Sequence, residues 1–414
     1  MKNIRVVIIY TLLLTLIRSE NQTQNDVELN TSEFKIDNRR YQALEGYIGT
    51  GRETSKTRAL FQYNFGSQTT IIGDLEQVNW GIKCNNNDPK YTNSCKILDD
   101  TEETDFYFNS LYKYKKATLY YRFYDVNKLN TDTIKPLPVN LVTGGQTWPL
   151  KYLGVLGLAP YGSFADYVRR MWDNNIGLLF AFETVDDCVD NERLEFNTHV
   201  VLNPVFDLSN DFIKLEMPLN SKTWNYRSDV WVRGTDFKYE NTNLCFSSIS
   251  NELIIIADPI VLCDSIRQMV CGPKALDDCN KYTANLSHAP EITFIFDKKE
   301  LNVDSKYYIY FNEKEELNCR FGDISTLRSQ QVCAEDTEVA VGKIFFEKFM
   351  PALIFNNDST TELYLVPYYQ FDDPRTTWWF FICGTCIGIG VAIIIFIIVK
   401  RRRDDDDIYY ATSE

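Results

Sequence analysis

Between Trp378 and Val399 the chain runs for 22 residues without a single charge. An α-helix rises 1.5 Å per residue, so about 20 apolar residues cross the hydrocarbon core of a bilayer. Trp378 and Trp379 supply the aromatic pair expected at one interface, and Lys400-Arg401-Arg402-Arg403 closes the other end. Positive flanks stay in the cytosol. The run therefore predicts one transmembrane helix over 378–399, a cytoplasmic tail over 400–414, and everything before Trp378 outside the cytosol. Gly384 and Gly388 stand at a spacing that packs helices together, which admits a homodimer.

The other end of the chain agrees with that topology. Lys2 and Arg5 precede an apolar run from Val6 to Ile17, and polar sequence begins at Arg18. This pattern predicts a secretory signal peptide over 1–19, the alternative being an uncleaved anchor. Outside the membrane the chain carries nine cysteines, at 84, 95, 188, 245, 263, 271, 279, 319 and 333. An oxidising compartment favours disulfides among them, and the odd number leaves one free or paired between chains. Sequons at Asn21, Asn30, Asn285 and Asn357 fit a glycosylated exterior.

The whole chain has a net charge of −14, which places about −16 on the ectodomain once signal and tail are set aside. So acidic a body excludes nucleic acid as a partner, because phosphate contacts demand cations. Only His199 and His288 are present, with no metal-ligand spacing around them, so no metal and no cofactor is implied.

Residues 20–57 are polar and without periodicity, which predicts a lead-in rather than a domain. From Arg58 short runs of Tyr, Phe and β-branched residues recur between Asn, Asp, Gly and Pro, the signature of an all-β body. Helical character is confined to Ser163–Asp173, Ile260–Val270 and Lys343–Phe349. A stalk over 369–377 leads into the membrane.

Several pieces, in order, resemble the pepsin family of aspartic proteases. Gly154-Val155-Leu156-Gly157-Leu158 is similar to a strand of the first lobe that leads through a loop into a short helix. Gly66-Ser67-Gln68 with Thr70-Ile71-Ile72 resembles the strand entering the first active-site loop, with Trp80 and Cys84 after it. Trp224 with Val230-Trp231-Val232, Leu253 to Ile256, Pro290 to Phe294 and Val341 to Phe349 are similar to successive parts of the second lobe. The resemblance spans about Arg58 to Tyr368. It implies a bilobal fold with an N-terminal lobe over 58–200 and a C-terminal lobe over 201–368. It also implies the disulfides Cys84–Cys95 and Cys279–Cys319.

In that family two aspartates, one per lobe, share a proton and activate a water; two like charges so close cannot both ionise. Each lies in an Asp-Thr/Ser-Gly motif, and this chain contains none. Counting from Trp80 puts the first catalytic position on Gly73, and ending the second strand at Ile256 puts the other on Ala257. Both are degenerate, with Asp74 and Asp258 one place late. A bulge at each strand end would be needed to bring that pair to bear. Tyr121 is the nearest match to the tyrosine of the family's flap. These losses predict a catalytically dead ectodomain that binds a protein or peptide ligand in an extracellular cleft. A membrane-anchored aspartic endopeptidase of the secretory or endolysosomal route, using Asp74 and Asp258, is the alternative; a structural coat component is a third. The expected location is the plasma membrane or an endomembrane.

Overall fold

The computed structural model describes residues 27–29, 31–36, 39–48, 58–73, 84, 95–107, 110–122, 136–145, 154–171, 176–185, 194–202, 212–272 and 279–367. The expected signal peptide, stalk, transmembrane span and tail lie outside these residues, as do Asn21, Asn30, Asp74, Trp80 and Cys188. Among the described residues no helix is long and apolar enough to cross a membrane. The described residues belong to one compact unit that ends at Tyr368, and it is predominantly β.

Its centre is a six-stranded sheet to which both halves of the chain contribute. The strands run in the order Val27–Leu29, Phe196–Leu202, Ile176–Thr184, Met350–Phe355, Thr361–Val366 and Ile213–Glu216. The seam between the halves is antiparallel, with Ile176 opposite Phe355 and Leu179 opposite Ala352. Ile176–Phe182 is buried at every position, as a strand covered on both faces requires. That is why its sequence reads as a continuous apolar run instead of alternating.

On either side of the seam the chain builds the same arrangement twice. In the first half Arg39–Ile48, Arg58–Asn64, Gly154–Gly157, Thr70–Ile72 and Pro136–Gly145 lie side by side within a nine-stranded sheet. In the second half Asn225–Val232, Lys238–Phe246, Val339–Val341, Ile254–Ile256 and Phe321–Asp323 do so within a seven-stranded sheet. Successive pairings are antiparallel, parallel, antiparallel and parallel in the first half. They repeat in that order in the second. In each half the central strand then leads into a helix, Ser163–Met171 or Lys343–Lys348. Buried aromatic rings fill the space between the halves: Phe65 packs at 5.0 Å from Phe180 and 5.8 Å from Phe346.

Two expectations change. Much of the supposed lead-in is sheet: Thr31–Ile36 and Arg39–Ile48 pair with each other, and Arg39–Ile48 pairs with Arg58–Asn64. Ala43, Leu44 and Ile48 are buried, and so are Glu45 and Gly46 between them, so the strand shows no apolar–polar alternation to read. The boundary expected between residues 200 and 201 falls inside the strand Phe196–Leu202, because that strand belongs to the shared sheet.

Among the cysteines, Cys84–Cys95 forms as expected. Cys279–Cys319 does not. Cys319 is joined to Cys263 and Cys279 to Cys271. The helix Pro259–Cys271 accounts for the exchange: Cys263 and Cys271 are two helical turns apart and so share one face. A fourth bond joins Cys245 to Cys333. The three expected helices form, but helical structure is not confined to them: a further short α-helix spans Ile324–Ser329, too short to show an apolar period in the sequence.

Candidate functional site

The repeated pairing defines which residues of the two halves correspond. In the first half the parallel register sets Gly157 opposite Asn64. In the second it sets Val341 opposite Phe246, so that Gly342 follows alongside Ser247. Both glycines are pressed against a loop. A Cβ at Gly157 would lie 2.6 Å from the carbonyl oxygens of Ser67 and Thr69. One at Gly342 would lie 2.6 Å from that of Ser250 and 2.5 Å from that of Glu252. Real Cβ atoms do not approach backbone so closely, so both positions need glycine for close packing. The loops therefore match residue for residue, Asn64-Phe65-Gly66 with Ser247-Ser248-Ile249.

These two turns meet at the junction of the halves. The Phe65 amide donates to Ser248 Oγ at 3.1 Å, and the bonded residues are 183 apart, as corresponding positions are. Asn64 Oδ1 accepts from the Gly66 amide at 2.9 Å, which closes the first turn on itself. The Asn64 carbonyl accepts from Leu158 at 2.8 Å, and the Leu158 carbonyl accepts from Trp224 Nε1 at 2.7 Å. Ser247 is fully buried, and its hydroxyl has no hydrogen-bond partner among the described residues. The reciprocal of the Phe65–Ser248 bond is absent because Phe65 has no hydroxyl to accept it. Its ring instead fills the aromatic cluster between the halves.

Above the first turn lies a cavity of about 460 Å³ lined by both halves. Asn64, Gly66, Ser67, Gln68, Asp105 and Tyr112 come from one side, and Lys222, Thr223, Arg328 and residues 330–335 from the other. Val332 rests directly on Gly66, where a Cβ would meet its carbonyl oxygen at 2.5 Å. Burial, together with the nearby Asp105 carboxylate, raises the Tyr112 phenol above the ordinary tyrosine range. Burial likewise raises Glu252, and it lowers Lys343, which follows Gly342, to about 8. At the meeting of the turns stand one amide and two hydroxyls. Such groups orient and hydrogen-bond a ligand, but they supply no acid–base pair. The carboxylates that reach the cavity, Asp105 and Glu335, are exposed residues of its walls.

The expected site residues that the structure describes stand apart from this cavity. Gly73 is buried at the end of Thr70–Ile72, while Ala257 and Asp258 are exposed where Ile254–Ile256 passes into the helix Pro259–Cys271. None of the three lines the cavity. Asp74 lies outside the described residues. The residues that do meet, Asn64, Ser247 and Ser248, stand before these short strands rather than after them. Tyr121 is a core residue: it is fully buried, packs edge-on 5.0 Å from Phe61 and takes the space a Cβ at Gly46 would need. The hairpin of Glu103–Tyr107 and Ser110–Arg122 contributes Asp105 and Tyr112 to the cavity instead. Its two turn residues, 108 and 109, lie outside the described residues. Asn285 and Asn357 are exposed, as glycan acceptors must be. His199 lies 3.9 Å from Glu183 and His288 lies 3.4 Å from Asn285. Among the described residues no three metal-ligating side chains cluster.

No protein-family model matches the sequence, and no curated protein matches it.

Proposed function

We propose that this chain is a type I membrane glycoprotein whose ectodomain has the bilobal pepsin-like architecture, has lost its catalytic pair, and binds a protein or peptide partner outside the cytosol. The doubled five-strand arrangement and the shared six-stranded sheet support the architecture. The observation that supports the loss of catalysis is that the two corresponding turns that meet at the junction hold an amide, Asn64, and a hydroxyl, Ser247; on this reading they stand where that family carries its aspartates. An amide and a hydroxyl cannot share and exchange a proton as two carboxyls do. The first motif then reads Asn64-Phe65-Gly66, with the glycine kept. The second reads Ser247-Ser248-Ile249, with the bracing hydroxyl kept. What remains is a cavity between two halves, a natural place to hold an extended peptide.

The test is proteolysis by the purified full-length chain. It should show no pepstatin-sensitive cleavage of a denatured protein between about pH 3 and 6, where a shared-proton pair would work. Acid cleavage that disappears in Asp74→Asn and Asp258→Asn variants would establish the peptidase alternative and defeat this reading.

A further inference from the structure

The cavity above Asn64 adjoins a second one of about 550 Å³, and the two share Lys222, Thr223 and Ala334 in their walls. The second is lined further by Pro218, Tyr226 and Arg227, and among the described residues no carboxylate lines it. This is unusual for the molecule, since the ectodomain carries about −16. Several cations elsewhere on its surface stand against acids: Lys113 against Glu102, Lys116 against Glu103, Lys214 against Glu362 and Lys238 against Glu240. Lys222 and Arg227 are both exposed, and neither forms an ion pair among the described residues. Arg227 Nη1 donates to the Asn241 carbonyl at 2.8 Å, and that one bond leaves most of the guanidinium fork available. Two of the nearby acids are engaged by neutral donors, Asp297 by the Tyr226 hydroxyl at 2.8 Å and Asp336 by Asn243 at 3.1 Å, while Glu335 lines the first cavity and not the second.

Two cations bordering a concave wall with no acid among its described lining residues favour a negatively charged ligand there, on a body that is otherwise negative. A guanidinium fork also matches a carboxylate in two-point geometry. We propose that the paired cavities select acidic peptides, with Asp or Glu side chains over the second cavity meeting Lys222 and Arg227 and a neutral stretch lying over Asn64 and Ser67. The proposal rests on the peptide-binding reading above and names the chemistry of its partner.

The test selects a random heptapeptide display library on the immobilised full-length chain in detergent. The wild-type protein should enrich Asp and Glu at least about threefold over the input, and the enrichment should fade at high salt. The Lys222→Glu/Arg227→Glu variant changes two exposed side chains, so it should fold; intact disulfides and an unchanged β spectrum would verify this. It should lose the acidic preference and bind a wild-type-selected peptide at least about tenfold more weakly, a loss in keeping with charge-assisted bonds. Peptides recovered without acidic enrichment, or with equal affinity for wild type and variant, would overturn this inference and leave the binding reading standing. Recovery of no peptide at all would overturn both.

Discussion

The turns Asn64-Phe65-Gly66 and Ser247-Ser248-Ile249 occupy corresponding places, yet different forces hold them. The first is held by an aromatic ring: Phe65 is fully buried against Tyr63, Phe180 and Phe346, and Gly66 admits the Val332 backbone onto the turn. The second is held by a covalent bond and a hydroxyl. Cys245, two residues before Ser247, is tied to Cys333, and Ser248 receives the Phe65 amide. The first half has Gln62 at the position corresponding to Cys245, so no such tie is available there. One fold thus tolerates two ways of fixing the same turn, provided that each closes its own hydrogen bonds.

The sharpest way to break this contrast is to remove the ring. Phe65→Ala should cost about 3–5 kcal/mol, the range for emptying a large aromatic site, measured by denaturant unfolding. A cost under about 1 kcal/mol would show that the ring does not hold the first turn. Next in size is the covalent tie. Cys245→Ala with Cys333→Ala should cost about 2–4 kcal/mol and speed hydrogen exchange around Ser247 and Val332 more than around Gly154. Equal exchange in both places would mean that the bond does not brace the second turn in particular. The finest comparison lies between adjacent serines. Ser248→Ala leaves the Phe65 amide without its acceptor and should cost about 1–2 kcal/mol. Ser247→Ala deletes a buried hydroxyl that has no partner among the described residues and should stay within about 0.5 kcal/mol of neutral or stabilise. If the two substitutions cost the same, the bond between the turns is not what distinguishes them.

Much of the architecture could be read before the fold was seen. Ile176–Thr184 and Ile292–Phe296 were legible because they bury nearly every residue. The helices at Ser163, Pro259 and Lys343 were legible from apolar spacing. The junction was harder. Ile254–Ile256 is uniformly apolar, which points to the residue after it, Ala257, rather than to the turn before it. The strand that leads into the turn, Lys238–Phe246, buries only Thr242 and Leu244–Phe246, and its first four residues, exposed or half-buried, make it read as polar. In the first half, counting back from Trp80 leads to Gly73, after Thr70–Ile72, rather than to the turn that precedes that strand. Asn64 and Ser247 also carry no chemical signature of their own. An asparagine in a turn is commonplace, and only the register of strands far apart in the chain singles these two out. The cysteine exchange failed for a local reason: the resemblance paired Cys279 with Cys319 and did not place Cys263 and Cys271 on one helix face.

The shared six-stranded sheet also sets a timetable for the chain during synthesis. Ile176–Thr184 pairs with Phe196–Leu202 on one side as soon as both have emerged, but its other neighbour is Met350–Phe355. At about 5–20 residues per second, that second edge stands open for roughly 10–30 s while the intervening chain is made. The waiting strand is rich in Leu and Phe, the kind of edge that recruits the wrong neighbour. Neither half can seal itself, so the first must be sheltered until the last strands arrive. Closure by pairing so distant in sequence is slow. The step at which this protein is most exposed to loss is therefore the interval before its own C-terminal strands reach the seam.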